Sequence, residues 1–122
     1  MKKLQLDWQG YFPVDEKTIR GKTDDRAGVY KLSAEQKDGT LKPFYAGQAD
    51  SIKMRLLEHL TSTKDSCIKE FLGKGGCQFR FAYLYTKEDI DAAEKALFRR
   101  YTPKCCDKEN IPKTEDVEIN YN

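Results

Sequence analysis

Two tyrosines lie on short stretches of strand-like composition that are separated by a turn signal. Tyr30 ends a Gly-Val-Tyr triplet, and Tyr45 begins a Tyr-Ala-Gly triplet fifteen residues later. The Asp-Gly pair at 38–39 is typical of the tight turn of a β-hairpin. The pattern therefore predicts two adjacent antiparallel strands that bring the two phenol groups close together. Because tyrosine is common in buried strands, a purely structural role is the alternative for both residues.

The stretch after Tyr45 has the pattern of a capped amphipathic helix, with Asp50 as the predicted N-cap. Arg55 and His59 lie one turn apart on the flank of its apolar face, a position that suits residues lining a groove. The guanidinium group offers a rigid fork of donors that matches a phosphate, and histidine can shuttle a proton or contact a phosphate. The alternatives are a surface ion pair of Arg55 with Glu58 or Asp50, and a place for His59 at the edge of the core.

A second helix is predicted from Lys87 to Tyr101, with acidic residues early and basic residues late, as the helix dipole favours. Glu94 lies inside its apolar stripe, whose other members are Ile90, Leu97, Phe98 and Tyr101. Burying a carboxylate is costly unless the group is paired or binds a metal. Glu94 is therefore either paired with an arginine or tyrosine in the core, or a metal ligand. One carboxylate completed by waters and phosphate oxygens suits Mg²⁺.

Taken together, these residues resemble the GIY-YIG nucleases. The two triplets look like the name-giving motifs of that family, and Arg55 and His59 fall where it has a helix arginine and, in many members, a histidine. Glu94 looks like its metal-binding glutamate, and Asn110 resembles its late asparagine. The resemblance runs from about residue 27 to residue 110.

The sequence departs from the family pattern at two positions beside the second triplet. Ala46 stands where a branched aliphatic residue is usual. Gln48 stands where many members have a basic residue, so a phosphate contact made there would be neutral and weaker.

The resemblance implies a divalent-metal-dependent DNA endonuclease that hydrolyses phosphodiester bonds with one Mg²⁺ or Mn²⁺ ion. It implies that Glu94 holds the metal and that Arg55 neutralises developing charge, with His59 as a further catalytic residue. Of the two tyrosines, Tyr30 is favoured as the base and Tyr45 as the positioning group. The expected contacts to substrate are Gly47, Gln48 and Asn110. Roles in DNA repair, restriction and mobile elements are all compatible with the resemblance.

Two other functions remain open. A nucleic-acid-binding module of the same fold without turnover is favoured by Gln48 and by the low net charge, whereas the presence of all six candidate residues argues against it. A protein-interaction domain would use the aromatic residues near the N-terminus as an apolar anchor, namely Trp8, Tyr11 and Phe12.

The expected fold is α+β, with a three-stranded antiparallel sheet flanked by helices and an N-terminal addition. The strands are predicted at about 28–33, 42–46 and 77–85, and Pro43 places the second one at an edge. Gly47 is expected to turn the chain and leave room for a phosphate. Alternation puts the aromatic face of the third strand, which includes Tyr85, towards the core. The predicted organisation is an N-terminal extension over 1–26 packed on the core, a nuclease domain over 27–111 and a polar tail over 112–122.

Composition indicates an ordinary globular domain. The 122 residues carry 22 basic and 20 acidic side chains, so a net charge of +2 is only a weak argument for nucleic acid. There is no run of about 20 apolar residues and no secretory signal, so we expect a cytoplasmic protein without membrane contact. The four cysteines lack zinc-site spacing and are expected to be reduced thiols. The oligomeric state is not predicted.

Overall fold

The computed structural model describes residues 1–122 except for the side chain of Lys108. The described residues form six strands, four α-helices and one 3₁₀ turn. In order along the chain, they are β1 (Lys2–Leu4), β2 (Gln9–Pro13), α1 (Glu16–Lys22), β3 (Gly28–Glu35), β4 (Leu41–Ala49), α2 (Ile52–Ser62), α3 (Ser66–Gly73), β5 (Cys77–Tyr83), α4 (Lys87–Tyr101), the 3₁₀ turn (Lys108–Asn110) and β6 (Val117–Ile119). Among the described residues, no helix has the length and apolar character needed to cross a bilayer.

The main sheet is antiparallel and has four strands in the order β2-β5-β3-β4. The predicted α+β class is confirmed, but the sheet has one strand more than expected because β2, from the N-terminal segment, pairs with β5. Strand β4 lies at an edge, as Pro43 predicts. A separate two-stranded parallel sheet joins β1 to β6, so residues near the two ends of the chain pair with each other.

Strand β3 is buried on both faces because a different helical layer covers each side of the sheet. Tyr30 and Leu32 face the layer that contains α1, α2 and α3. Val29 faces the opposite layer, which contains the alanine-rich side of α4. At the start of the strand, a Cβ atom on Gly28 would overlap the Ala82 carbonyl of β5, so only glycine allows this close pairing.

Lys31 also faces the α4 side of the sheet and is 1% exposed. Its ammonium group lies over the rings of Trp8, Tyr11 and Tyr101, at 5.8, 5.3 and 4.5 Å from their centroids. The ring of Phe12 packs against Phe79 and Phe81. Most of the aromatic surface near the N-terminus is therefore used inside the molecule, which does not favour its use as an anchor for a partner protein.

Three local predictions were wrong. The N-cap of α2 is Ser51 rather than Asp50, since the Ser51 hydroxyl accepts the amide of Met54. Strand β4 continues through Gly47 to Ala49 instead of turning there, because β3 supplies partners along that whole length. Alternation held for the core residues of β5, but Tyr85 lies beyond the end of that strand and is 83% exposed.

The expectation of four reduced thiols was also wrong. Cys67, at the start of α3, and Cys105, in the loop after α4, form a disulfide with a Cα–Cα distance of 5.5 Å. Their separation of 38 residues gave no sequence signal for the pairing, which depends on how α3 packs beside the edge of β4. Cys77 and Cys106 are free thiols.

Reduction of this disulfide should destabilise the protein. The bond closes a long loop, and such a cross-link typically contributes roughly 2–4 kcal/mol to the free energy of unfolding. Denaturant melts with and without a dithiol reductant would measure the loss. Cys67→Ser should lower stability by a similar amount and make the melt insensitive to reductant, whereas Cys106→Ser should keep the sensitivity. Identical wild-type melts under both conditions would contradict the prediction.

Candidate functional site

The pairing of β3 with β4 positions both tyrosines. Tyr30 pairs with Gly47, and Leu32 pairs with Tyr45, whereas the next pair is Ser33 with Pro43. Phe44 is therefore an extra residue in β4, and such a bulge re-aims the side chains beside it. The rings of Tyr30 and Tyr45 lie 5.9 Å apart, which confirms that the hairpin brings them together.

Gly47 is needed because the two phenol rings cross over it. A Cβ atom at this position would lie 2.9 Å from Cε2 of Tyr45 and 3.0 Å from the Tyr30 hydroxyl. Its sequence-based role as a substrate contact stays a prediction. In the structure, the space above its Cα atom is filled by the side chain of Tyr30.

Tyr30 and His59 form a buried polar pair. The Tyr30 hydroxyl and Nε2 of His59 lie 2.6 Å apart, within hydrogen-bond distance, and Tyr30 is 0% exposed. Burial, with a further contribution from the Arg55 charge, lowers the pKa of His59 from its usual 6.5 to about 4. Burial and the neighbouring Tyr45 hold the pKa of Tyr30 well above its usual value of 10.0. At neutral pH the pair is therefore a neutral phenol and a neutral imidazole.

Tyr45 connects this buried pair to an open cavity. Its ring meets that of His59 edge-on, with centroids 5.2 Å apart, and its side chain is half-buried. The cavity has a volume of about 170 Å³ and lies at the edge of β4 that pairs with no other strand. Its wall includes Tyr45, Asp65, Glu94, Phe98, Cys105 and Asn110.

Glu94 is half-buried, on α4 beside the buried Ile90 and Leu97. Burial, then the nearby Asp91 carboxylate, raises the pKa of Glu94 from 4.5 to about 7. In the described part of the chain, no basic side chain lies within ion-pair distance of Glu94, so the predicted alternative of a core ion pair with arginine has no support there. The carboxyl group is left with an incompletely compensated charge when it ionises.

Arg55 lies on α2 and is partly exposed, with 41% of its side chain accessible. It makes one long hydrogen bond, from Nη1 to the Gln48 carbonyl at 3.4 Å. Its Nε atom is 3.9 Å from Glu58, so the ion pair weighed as the alternative exists but is loose. An exposed pair of this kind holds its arginine weakly, and most donors of the guanidinium fork remain available to an anion.

The side-chain amide of Gln48 already has partners within the protein. It donates to Asp91 at 2.7 Å and accepts from the Lys87 ammonium at 2.7 Å, while Lys87 and Asp91 pair at 2.9 Å. Its expected substrate contact stays a prediction, and the Lys87 ammonium supplies a cation at this position. Sequence reasoning missed Lys87 and Asp91, although their i,i+4 spacing on the helix of Glu94 was a usable signal.

Asn110 is exposed at the end of the 3₁₀ turn and lines the same cavity as Tyr45 and Glu94. The fold thus places Tyr45, Glu94 and Asn110 at one cavity, whereas Tyr30 and His59 lie on the other side of the Tyr45 ring and Arg55 is linked to Gln48. Among the described residues, no group of three or more histidine, cysteine, aspartate or glutamate side chains has metal-site geometry. Glu94, Asp65 and Asp107 are the carboxylates of the cavity wall, and a cation held by Glu94 would take other oxygens from water and substrate.

No protein-family model matches the sequence, and no curated protein matches it either. Solved structures do match. The GIY-YIG N-terminal endonuclease domain of UvrC from Thermotoga maritima, bound to its catalytic magnesium, superposes with a TM-score of 0.58 at 20% identity, covering 75% of this chain and 98% of that chain. A point mutant of the same domain, bound to its catalytic divalent cation, superposes with a TM-score of 0.57 at 21% identity and the same coverage.

At this level of identity the similarity concerns the fold. The superposition covers nearly the whole of the UvrC domain and three quarters of the present chain. It agrees with the observed α+β architecture and with the resemblance found in the sequence. The chain therefore has the GIY-YIG nuclease fold.

Proposed function

We propose that this protein is a divalent-metal-dependent DNA endonuclease that hydrolyses phosphodiester bonds. One observation carries the proposal. Tyr45 lines the cavity that contains the Glu94 carboxyl group and also contacts the neutral Tyr30–His59 pair. A carboxyl group that could bind a metal ion and groups that could exchange protons thus lie on two sides of the Tyr45 ring. The bound cations of the UvrC domain structures support the same chemistry.

The residues present fit one Mg²⁺ or Mn²⁺ ion. Glu94 is half-buried, has no basic partner among the described residues and faces an open cavity, so a cation would relieve the cost of ionising it. Mg²⁺ keeps several waters and needs only one or two carboxylates. When bound, the ion supplies Lewis-acid stabilisation of negative charge on the phosphate oxygens.

The protein groups have separable roles. The resemblance favoured Tyr30 as the base and Tyr45 as the positioning group. Because Tyr30 is fully buried, we propose the reverse order: Tyr45 contacts the attacking water, and Tyr30 and His59 support it from beneath. A neutral imidazole can accept a proton, and the pKa of His59 rises when a phosphate anion binds nearby, because negative charge favours the imidazolium form. Arg55 binds the phosphate and stabilises the charge that develops on it. Asn110 orients the substrate at the rim of the cavity.

A nucleic-acid-binding module without turnover is the second candidate. The observation in its favour is the engagement of the Gln48 amide with Asp91 and Lys87, which ties one of its two N–H donors and its oxygen to groups of the protein instead of to a phosphate. Such a module would bind DNA with equal affinity whether or not Mg²⁺ is present, and would cleave nothing.

Cleavage is tested directly by incubating the protein with single-stranded, duplex and branched DNA in Mg²⁺, in Mn²⁺ and in EDTA. We expect cleavage of at least one substrate with metal, none in EDTA, and recovery when excess metal is added. Glu94→Gln should lose cleavage together with metal binding. Undiminished cleavage in EDTA, or cleavage by a well-folded Glu94→Gln variant, would overturn the proposed mechanism.

The same substitution makes a prediction about stability without metal. Because the folded protein holds a proton on Glu94 up to about pH 7, whereas the unfolded chain releases it near 4.5, folding takes up a proton in this range. Wild type therefore loses stability relative to Glu94→Gln as pH rises from about 4.5 to 7. After allowance for the partial exposure of Glu94, we expect on the order of 1–2 kcal/mol.

Denaturant melts of both proteins in EDTA at pH 5 and pH 8 provide the measurement. Taking the difference between the two proteins removes the opposite pH dependence of His59, which both contain. A variant that is less stable than wild type by roughly 3–5 kcal/mol at pH 8 would instead identify Glu94 as half of a buried ion pair.

Arg55→Lys should separate charge from geometry. Lysine keeps the positive charge but loses the fork that matches phosphate oxygens, so turnover should fall by about 100-fold or more while DNA affinity changes little. Arg20→Lys is a matched control, because Arg20 also makes an exposed ion pair within a helix, with Glu16 of α1. Single-turnover cleavage and DNA binding in EDTA would measure the two effects. Normal cleavage by Arg55→Lys would contradict this role and leave Arg55 only as the ion-pair partner of Glu58.

A further inference from the structure

The most exposed aromatic ring in the described part of the chain belongs to Tyr85, in the loop between β5 and α4. Strand pairing stops at Tyr83, which pairs with Gly28, so the chain leaves the sheet before Tyr85 can turn towards the core. The ring is 83% accessible, which is unusual for a large side chain with an apolar face. It therefore needs an explanation other than core packing.

The exposed ring is held in place by Arg26. The Arg26 guanidinium donates from Nη2 to the Tyr85 hydroxyl at 2.7 Å, and its Cζ atom lies 4.2 Å from the centroid of the Tyr83 ring. The Tyr83 hydroxyl in turn accepts the backbone amide of Asp24 at 2.7 Å. The Tyr85 ring is thus held in one orientation by a guanidinium group that itself stacks on the Tyr83 ring. Because the ring is already ordered, it loses little conformational entropy when a flat partner binds.

This platform, consisting of Tyr85 and Arg26, lies next to the proposed nuclease site. The Arg26 carbonyl accepts the amide of Ile52 at 2.9 Å, so the platform abuts the first turn of α2, one turn before Arg55. On its other side, α4 begins at Lys87, whose ammonium group contacts Gln48. The Gln48 carbonyl then accepts from Arg55. A strand whose phosphate reaches Arg55 can therefore place a neighbouring nucleotide over Tyr85.

The chemistry of the platform favours a base over a phosphate. Three exposed carboxylates lie near the platform. Asp24 and Asp25 directly precede Arg26, and Asp50 precedes Ser51, whose hydroxyl donates to Asp25. These carboxylates repel a backbone phosphate. A planar ring beside a guanidinium offers stacking and cation–π attraction to any base that has left its helix. A paired base in a duplex keeps its faces covered by its neighbours and cannot use the platform.

We propose that Tyr85, braced by Arg26, stacks with an unpaired base next to the scissile phosphate, so that the substrate class is DNA with a single-stranded or splayed segment at the cleavage point. This proposal rests on the proposed nuclease function, because a cleavage point exists only if the protein cleaves DNA. Stacking on an aromatic side chain is sequence-tolerant, because every base has a π face. The platform would therefore select DNA structure rather than sequence.

The test measures binding of wild type in EDTA to a splayed duplex and to a matched full duplex. A fluorescent base analogue, 2-aminopurine, is placed at successive positions of the single-stranded arm. We expect tighter binding of the splayed DNA and quenching of the analogue at one or two positions nearest the junction. Tyr85→Ala should weaken binding of the splayed DNA by between about fivefold and a hundredfold, abolish the quenching and leave duplex affinity unchanged.

Tyr85→Phe and Tyr85→Leu distinguish stacking from other contacts. Phenylalanine keeps the ring but loses the hydrogen bond from Arg26, so it should lose less affinity than alanine and still quench the analogue, whereas leucine keeps the apolar bulk and should behave like alanine. Because Tyr85 is exposed, all three variants should melt like wild type, which checks that they fold. Equal affinity of wild type and Tyr85→Ala for splayed DNA, equal losses on both substrates, or full retention by Tyr85→Leu would each overturn the proposal.

Cleavage of the same DNA in Mg²⁺ separates the two proposals. If wild type shows position-specific quenching that depends on Tyr85 but never cleaves, the platform binds bases and the nuclease proposal fails. If wild type cleaves in Mg²⁺ but shows no preference for splayed DNA and no quenching, the platform proposal fails and the nuclease proposal stands. Absence of binding to any DNA would overturn both.

Discussion

The site depends on the pairing of β3 with β4. This register sets Tyr30 opposite Gly47, where only a glycine leaves room for the phenol, and the extra residue Phe44 re-aims Tyr45 towards the open edge. Since β3 is buried on both faces, no cavity can form over the centre of the sheet. Side chains from α2, on one face, and α4, on the other, can meet only at the edge formed by β4. A shift of one residue in this register would exchange the faces of all these side chains.

The electrostatic state of the site follows from partial burial. The low pKa of His59 and the raised pKa of Glu94 have the same main cause, which is burial. Desolvation disfavours the charged form of each group, the imidazolium of His59 and the carboxylate of Glu94. At neutral pH and without ligands, the Tyr30–His59 pair is therefore uncharged and Glu94 is only partly ionised, beside the charged Arg55 and the Lys87–Asp91 pair. A cation beside Glu94 and an anion beside His59 would move both pKa values back towards their usual range. Binding of metal and of phosphate would thus create the charges that the proposed chemistry uses.

Two long-range connections hold the surroundings of this edge. On the α4 side of the sheet, the buried Lys31 ammonium sits among aromatic rings from the N-terminal segment and from α4, so it links these two parts to the central strand. On the other side, the disulfide from α3 to Cys105 fixes the loop that leads to Asn110. The Cys105 amide also donates to the Phe44 carbonyl at 2.8 Å, which places this loop directly along the bulge. The loop that forms this wall of the cavity is therefore held by the disulfide to α3 and by a hydrogen bond to β4, the strand that carries Tyr45.

Local patterns in the sequence determined helices α2 and α4, the hairpin and the identity of the candidate residues. The bounds of α4, the close approach of the Tyr30 and Tyr45 rings across a hairpin and the α+β class all follow from periodicity and turn chemistry, which act over a few residues. Only the tertiary structure decided the contact of Tyr30 with His59, the network of Gln48 with Lys87 and Asp91, the disulfide and the exposure of Tyr85. Each of these joins segments that are distant in the chain or depends on where strand pairing stops. Hydrophobic periodicity reports which face of an element is buried, but it carries no information about which other element covers that face.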